Sequence, residues 1–280
     1  VYFRDMRVDV AMVEVGMGGR LDSTNVLHPL VAAVTNIDLD HQAFLGSTRA
    51  AIAAEKAGIF KPGVPAIVGE KHPETEGVFR DSAERVGAIL QFAEDLPMAL
   101  TPTDLLGSYQ AKNQRLARAI LGAQEVFPVS EDCISRGLLQ VAAKTGLQGR
   151  WQVVSQEPFT VLDTAHNAHG LQETMAQFRA MEAGAMHIVF GMVGDKDADG
   201  ALALLPKEAR YYFCAPSIPR ALPVADLQRK AATFGLQGEG FSSVHHAWEA
   251  ALETTEPGDR IYIGGSTFVV ADALTPKSAS

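Results

Sequence analysis

Strand-length apolar runs alternate with helix-length amphipathic segments along nearly the whole chain, and this order constrains the fold more than any other feature. It is the pattern of a largely parallel sheet, because each parallel strand needs a long crossover before the next. VDVAMVEV (8–15), LVAAVTNI (30–37), PAIVG (65–69) and AILQF (88–92) read as strands, the first three rich in Val and Ile. STRAAIAAEKAGI (47–59) predicts a helix with Ser47 as N-cap and Gly58 near its end. LPMALTPTDLLG (96–107) carries two prolines and reads as loop. Helices are expected around 109–126 and 130–144, the second capped by Ser130.

KTGLQGR (144–150) breaks the periodicity with two glycines, so a boundary is expected there, separating residues 1–148 from 149–280. The alternation then restarts. WQVVS and FTVLD lead to a helix from residue 168, followed by HIVFG, a short helix and ARYYFCA. Helices near 223–235 and 243–255 and a last strand, RIYIGG, complete a second α/β unit. The tail TPKSAS is expected to fray.

A net charge of −9 offers no basic face and argues against a nucleic-acid partner. It leaves room for a phosphate ligand, which backbone N–H groups and one or two cations can hold. No apolar run approaches the ~18 residues of a membrane span. VYFRDMRVDV does not read as a signal peptide, lacks an initiator Met and begins close to a predicted strand, as in a chain cut from something longer. Cys133 and Cys214 form no CxxC and read as small core hydrophobes, which fits a reducing, cytoplasmic setting.

EVGMGGRLDSTN (14–25) has the look of a phosphate loop but fails both tests for one. Gly16, Gly18 and Gly19 give G-x-G-G, and Leu21 stands where a dinucleotide fingerprint needs its third glycine. No Gly-Lys dipeptide occurs in the chain, so no P-loop is present either. Glu14 falls at the carboxyl end of an expected strand, the edge where ligands of open α/β sheets gather. A carboxylate there is exposed, ion-paired or on a metal. DLDHQAFLG puts Asp38, Asp40 and His41 beyond the next strand, which makes a Mg²⁺ site with Glu14 a reading beside the structural ones. Lys56, late in an alanine-rich helix, is a cation near a helix C-terminus.

Three motifs taken together, E-V-G-M-G-G-R-L-D-S-T-N, T-N-I-D-L-D-H-Q-A-F-L-G-S-T and E-K-A-G-I-F-K-P-G-V-P, resemble the folylpolyglutamate synthase/dihydrofolate synthase family of the Mur ligase superfamily. D-T-A-H-N-A-H-G (163–170), F-G-M-V-G-D-K-D (190–197) and G-G-S-T-F-V-V-A-D-A-L (264–274) resemble that family's C-terminal domain. The resemblance implies an incomplete ATPase domain over 1–148 and a Rossmann-like α/β domain over 149–280. It implies ATP-dependent addition of L-glutamate to dihydropteroate or a reduced folate through an acyl phosphate, with ATP and Mg²⁺, in a monomeric enzyme. Glu14 and His41 match the family's magnesium ligands, and Lys56 a lysine that is carbamylated and holds a second ion. Asp22, with Arg20 beside it, matches the pterin-holding loop. The resemblance also implies that the loop's glycines let backbone pass close to substrate.

Asn113 matches an asparagine near the adenine, Arg150 an arginine reaching ATP phosphates, and Asp163 and His166 the nucleotide-facing D-x-x-H-N motif. Tyr109 stands where His is often found, and Ala168 replaces a proline common after that Asn. Trp151, His245 and His246 match no catalytic position and read as packing and surface.

The family's Gly-Lys-Ser/Thr loop lies upstream of the strand expected near residue 8, so this chain alone is expected not to turn over ATP. Two other readings stand beside it: another ligase of the superfamily, against which R-L-D-S-T-N argues, and a non-catalytic nucleotide- or folate-binding remnant. A nicotinamide dehydrogenase is disfavoured by the failed fingerprint.

Overall fold

The computed structural model describes residues 2–39, 42–97, 99–182, 184–194 and 197–276. The chain divides into two compact units, residues 1–100 with 111–134, and 101–110 with 135–280.

The first unit is built on a three-stranded parallel sheet of β1 (Ala32–Val34), β2 (Pro65–Val68) and β3 (Ile89–Phe92), in that order. Helix α1 (Arg49–Ala57) is the crossover from β1 to β2, and α2 (Glu76–Val86) that from β2 to β3. Period-2 alternation along β2 sends Ala66 and Val68 into a cluster with Ala53, Ala57, Phe60 and Phe79. Ile67 points the other way, packing with Leu116 and Ala119 of α3 (Gln110–Ala123).

The segment 8–15 is not a strand. It is exposed and outside both sheets, with Val8, Val10 and Met12 each more than two-fifths accessible. Apolar alternation yields a strand only where a partner supplies ladder hydrogen bonds, and none does so among the described residues. The cap of α1 is Thr48, not Ser47: the Thr48 hydroxyl oxygen accepts from the Ala51 N–H at 3.2 Å. The helix expected over 130–144 is two, α4 (Glu131–Leu138) and α5 (Val141–Thr145). Ser130 does cap α4, accepting from Cys133 N–H. The break at Gln140 follows from Asp104, whose carboxylate accepts from the N–H groups of Ala142 and Ala143, both at 3.1 Å, and so caps a new helix start.

That contact also ties residues ahead of the expected boundary at 148 to the second unit. Residues 101–110 and 135–148 pack with the second unit, the former also through Ser108 N–H to Gln177 Oε1 and Gln177 Nε2–H to Leu106 O.

The second unit has a six-stranded sheet: β4 (Gln152–Gln156), β5 (Phe159–Asp163), β6 (Met186–Phe190), β7 (Arg210–Cys214), β8 (Gly238–Phe241) and β9 (Arg260–Gly264). Their order is β4-β5-β9-β6-β7-β8, parallel except for the β4–β5 hairpin. β8, GEGF, has no apolar run and escapes pattern reading; Gly238 fits against the backbone of Tyr211 and Gly240 against the side chains of Val224 and Gln228. Helices α6 (Ala168–Ala180), α7 (Ala198–Leu202), α8 (Val224–Thr233), α9 (Val244–Thr254) and α10 (Thr267–Leu274) cover the faces.

Ile188 and Phe190 join Phe178, Tyr211 and Tyr262 in one core, while Val189 joins Leu162, Ile261 and Ile263 in the other. Cys214 is in that second core and Trp151 in the first, as expected, but Cys133 is exposed. No helix among the described residues is long and apolar enough to cross a membrane. The insertion of β9 between β5 and β6 sets the carboxyl ends of three central strands side by side, Asp163 and Phe190 each in register with Gly264.

Candidate functional site

In the first unit the glycine loop folds onto the C-terminal turn of α1. Arg20 N–H donates to Glu55 O at 2.8 Å, and a Cβ on Gly19 would lie 2.8 Å from the same oxygen. Glycine is required there to admit the carbonyl, so these glycines serve the close approach of loop to helix. The Arg20 guanidinium forks onto the Glu55 carboxylate, with Nη2 to Oε1 at 2.9 Å. Asn25 closes the clasp: Nδ2 donates to Arg20 O at 3.0 Å and Gly58 O at 3.1 Å, while Oδ1 accepts from Lys61 Nζ at 2.8 Å.

Asp22 organises the loop from within. Its carboxylate accepts from Thr24 Oγ1 at 2.5 Å, Thr24 N–H at 2.9 Å and Met17 N–H at 3.0 Å, capping the short 3-10 turn Ser23–Val26. These donors, the Thr24 hydroxyl foremost, hold its pKa down to about 2. Lys56 is half-buried in the turn that the clasp grips and, among the described residues, makes no ion pair or hydrogen bond. Glu14 is exposed and equally unpartnered among the described residues, in the extended segment rather than at a strand end. Asp40 and His41 lie outside the described residues. Among those described, no three His, Cys, Asp or Glu converge as metal ligands. Glu14 is therefore the only described member of the expected pair with His41, and its carboxylate is a hard donor of the kind Mg²⁺ prefers. Asn113 is exposed on α3.

In the second unit Tyr109, Arg150, Asp163, Thr164 and His166 come together. Asp163 ends β5, is 2% exposed and serves as an internal acceptor. Oδ2 accepts from Trp151 N–H at 2.7 Å and Tyr109 O–H at 2.8 Å, and Oδ1 from Ala165 N–H at 2.8 Å. Burial still raises its pKa, against the pull of those donors and the nearby Arg150 charge. Burial, with the Asp163 charge behind it, pushes the Tyr109 phenol up as well, which keeps the tyrosine a donor.

Thr164 N–H donates to Gly149 O at 2.9 Å, and its hydroxyl oxygen accepts from Arg150 Nη1 at 2.8 Å. The rest of the Arg150 guanidinium is exposed. His166 Nδ1 lies 3.0 Å from Thr164 O, so that nitrogen carries the hydrogen and Nε2 is left for another partner. Asn167 caps α6, accepting from Gly170 N–H at 2.9 Å, and Ser266 caps α10. Asn25, Glu55, Lys61, Tyr109 and Thr164 escaped the sequence reading as functional groups. Only their positions inside or beside the quoted motifs hinted at them, because each acts on a group distant in sequence.

The model of the Mur ligase glutamate ligase domain matches residues 149–267. The chain is 35% identical to the dihydrofolate synthase/folylpolyglutamate synthase of Escherichia coli (strain K12), over 97% of this chain and 66% of that protein. It is 31% identical to the folylpolyglutamate synthase of Lacticaseibacillus casei, over 96% of this chain and 67% of that protein. It thus spans about two thirds of the length of these relatives. Among solved structures, the Yersinia pestis bifunctional folylpolyglutamate synthase/dihydrofolate synthase complexed with AMPPNP and Mn ion superposes with a TM-score of 0.83, at 33% identity, over 98% of this chain and 67% of that one. The chain belongs to the folylpolyglutamate synthase/dihydrofolate synthase family of the Mur ligase superfamily.

Proposed function

We propose that these residues form the greater part of an ATP-dependent ligase that adds L-glutamate to dihydropteroate or a reduced folate. The single observation that carries the reading is the exposed Arg150 guanidinium, held by Thr164 beside D-T-A-H-N at the carboxyl ends of the central strands. Beyond the one bond to Thr164, four of its five N–H donors remain for an anion, and the neighbouring His166 Nε2 supplies a second polar contact. In the reaction the γ-phosphoryl group of ATP passes to a substrate carboxylate oxygen. The amine of glutamate then attacks the acyl carbon, loses a proton, and phosphate departs with that oxygen.

Arg150 and His166 are assigned to the nucleotide phosphates and ribose, and Asn113 to the adenine. Asp163 acts through the backbone it holds. Asp22 stays ionised across physiological pH and is available as an acceptor for pterin N–H donors, with Arg20 fixing the loop that carries it. Glu14, His41 and a carbamylated Lys56 would hold the divalent ions, which supply charge screening between phosphate and carboxylate. The half-buried, unpartnered state of Lys56 supports its selection as the amine that takes up CO₂. A monomeric enzyme in a reducing cytoplasm is the setting assigned, and the free, buried Cys214 thiol, whose pKa burial pushes up to about 12, fits the reducing part of it.

Labelled L-glutamate incorporation tests the reading, using the chain completed with the portion of the Escherichia coli relative that it does not span. Label should enter dihydropteroate or tetrahydrofolate and not a muramyl nucleotide. Incorporation only into the muramyl acceptor, or into none by a folded, ATP-binding protein, would overturn it. Arg150→Met should lower incorporation through the affinity for ATP.

A further inference from the structure

The chain enters β4 through a conformation that side chains rarely adopt. Trp151 has φ +50°, preceded by Gly149 at +69° and Gly146 at +70°. Glycine takes such values freely, but a tryptophan does so only where the surroundings over-determine it. The cause lies at the end of the β4–β5 hairpin. Gln152 pairs with Leu162, so Trp151 falls opposite Asp163, where the ladder stops. There the Trp151 N–H turns onto Asp163 Oδ2, and Thr164 N–H takes Gly149 O. Arg150 sits between these two fixed points, its direction set by the same dipeptide that receives Nη1.

Asp163 can do this only if its own carboxylate is fixed. Ala165 N–H holds Oδ1, and the remaining constraint on Oδ2 is the Tyr109 hydroxyl. Tyr109 in turn is placed by Gly107, where a Cβ would lie 2.6 Å from the tyrosine ring. We propose that Tyr109 is a positioning residue: by donating to Asp163 Oδ2 it holds the carboxylate that bends Trp151, and thereby aims the exposed Arg150 guanidinium. The proposal rests on the reading of Arg150 as a nucleotide-phosphate ligand.

The test measures amide hydrogen exchange and nucleotide affinity on the completed chain, comparing wild type with Tyr109→Phe, Tyr109→His and Arg150→Met. Loss of a hydrogen bond to a buried carboxylate should speed exchange at Trp151 by about tenfold or more in Tyr109→Phe. Exchange at the central-strand amides such as Ile188 should stay unchanged. Affinity for ADP should fall about three- to tenfold, affinity for adenosine should not, and the fall should vanish in the Arg150→Met background. Tyr109→His, which restores a donor, should recover most of the loss. Unchanged exchange at Trp151, equal losses for ADP and adenosine, or additivity with Arg150→Met would overturn the proposal. A wild-type chain that binds no ADP would instead overturn the nucleotide reading, and the Trp151 exchange rate then decides the positioning claim by itself.

Discussion

Alanine at Gly58 should destabilise the first unit, although its local backbone argues for the opposite. Gly58 has φ −60° and ψ −12°, which any residue adopts, and in open space alanine there would stabilise by about 0.4–1 kcal/mol through the unfolded chain. The space is not open. A Cβ would lie 2.5 Å from Arg20 Cα and 2.8 Å from Arg20 N, both backbone atoms that no rotamer can move. Reaching ordinary contact requires the loop to withdraw by about 1 Å, which would stretch Arg20 N–H to Glu55 O from 2.8 Å and Asn25 Nδ2–H to Gly58 O from 3.1 Å past bonding range. Two such bonds contribute about 1–3 kcal/mol, leaving a net loss of about 1–2 kcal/mol.

Gly77, in α2, is the control: nothing lies within 4 Å of its Cβ position, so alanine there should stabilise by about 0.5–1 kcal/mol. Urea unfolding followed together with amide exchange over residues 17–25 separates the cases. A Gly58→Ala chain as stable as wild type, with unchanged exchange in the loop, would refute the clasp.

Asn25→Asp should be worse than Asn25→Ala, since it turns both donors of the clasp into acceptors facing the carbonyls of Arg20 and Gly58; urea midpoints in the reverse order would count against it. The Asp22 carboxylate, with a folded pKa of about 2 against the ordinary 3.8, stabilises the loop fully above about pH 4 and loses that effect as pH falls towards 2. Exchange protection at Met17 and Thr24 should fade across that window, and Asp22→Asn should abolish the pH dependence. Ala168→Pro should stabilise by about 0.4–1 kcal/mol in thermal unfolding, because residue 168 opens α6 and Asn167 before it is already extended at φ −128° and ψ 169°. A native-state thiol reagent should label Cys133 alone, Cys214 being wholly buried.

Most of the second unit was legible in the sequence, because its central strands are apolar runs buried on both faces and its caps are local. Missed were β8, a strand without an apolar run, and α10, which follows the last expected strand. The first unit was less so. The run 8–15 has the right residues for a strand, but pairing depends on a neighbour, which no local pattern contains. Arg20, Asp22 and Lys56 were found as residues of interest from motif resemblance. Their physical arrangement was not, since the clasp joins residues 19–25 to 55–61 through backbone carbonyls that carry no sequence signature. Asp163 was found by resemblance alone; the signal for its internal partners is conformational, a left-handed tryptophan, and sequence does not show it.

Transfer of oxygen from substrate to phosphate tests the central claim most directly. With ¹⁸O in the carboxylate of dihydropteroate, the completed chain, ATP and L-glutamate should release phosphate carrying one ¹⁸O for each glutamate added, because the labelled oxygen leaves as part of the acyl phosphate. Glutamate addition with no ¹⁸O in the phosphate would contradict the account.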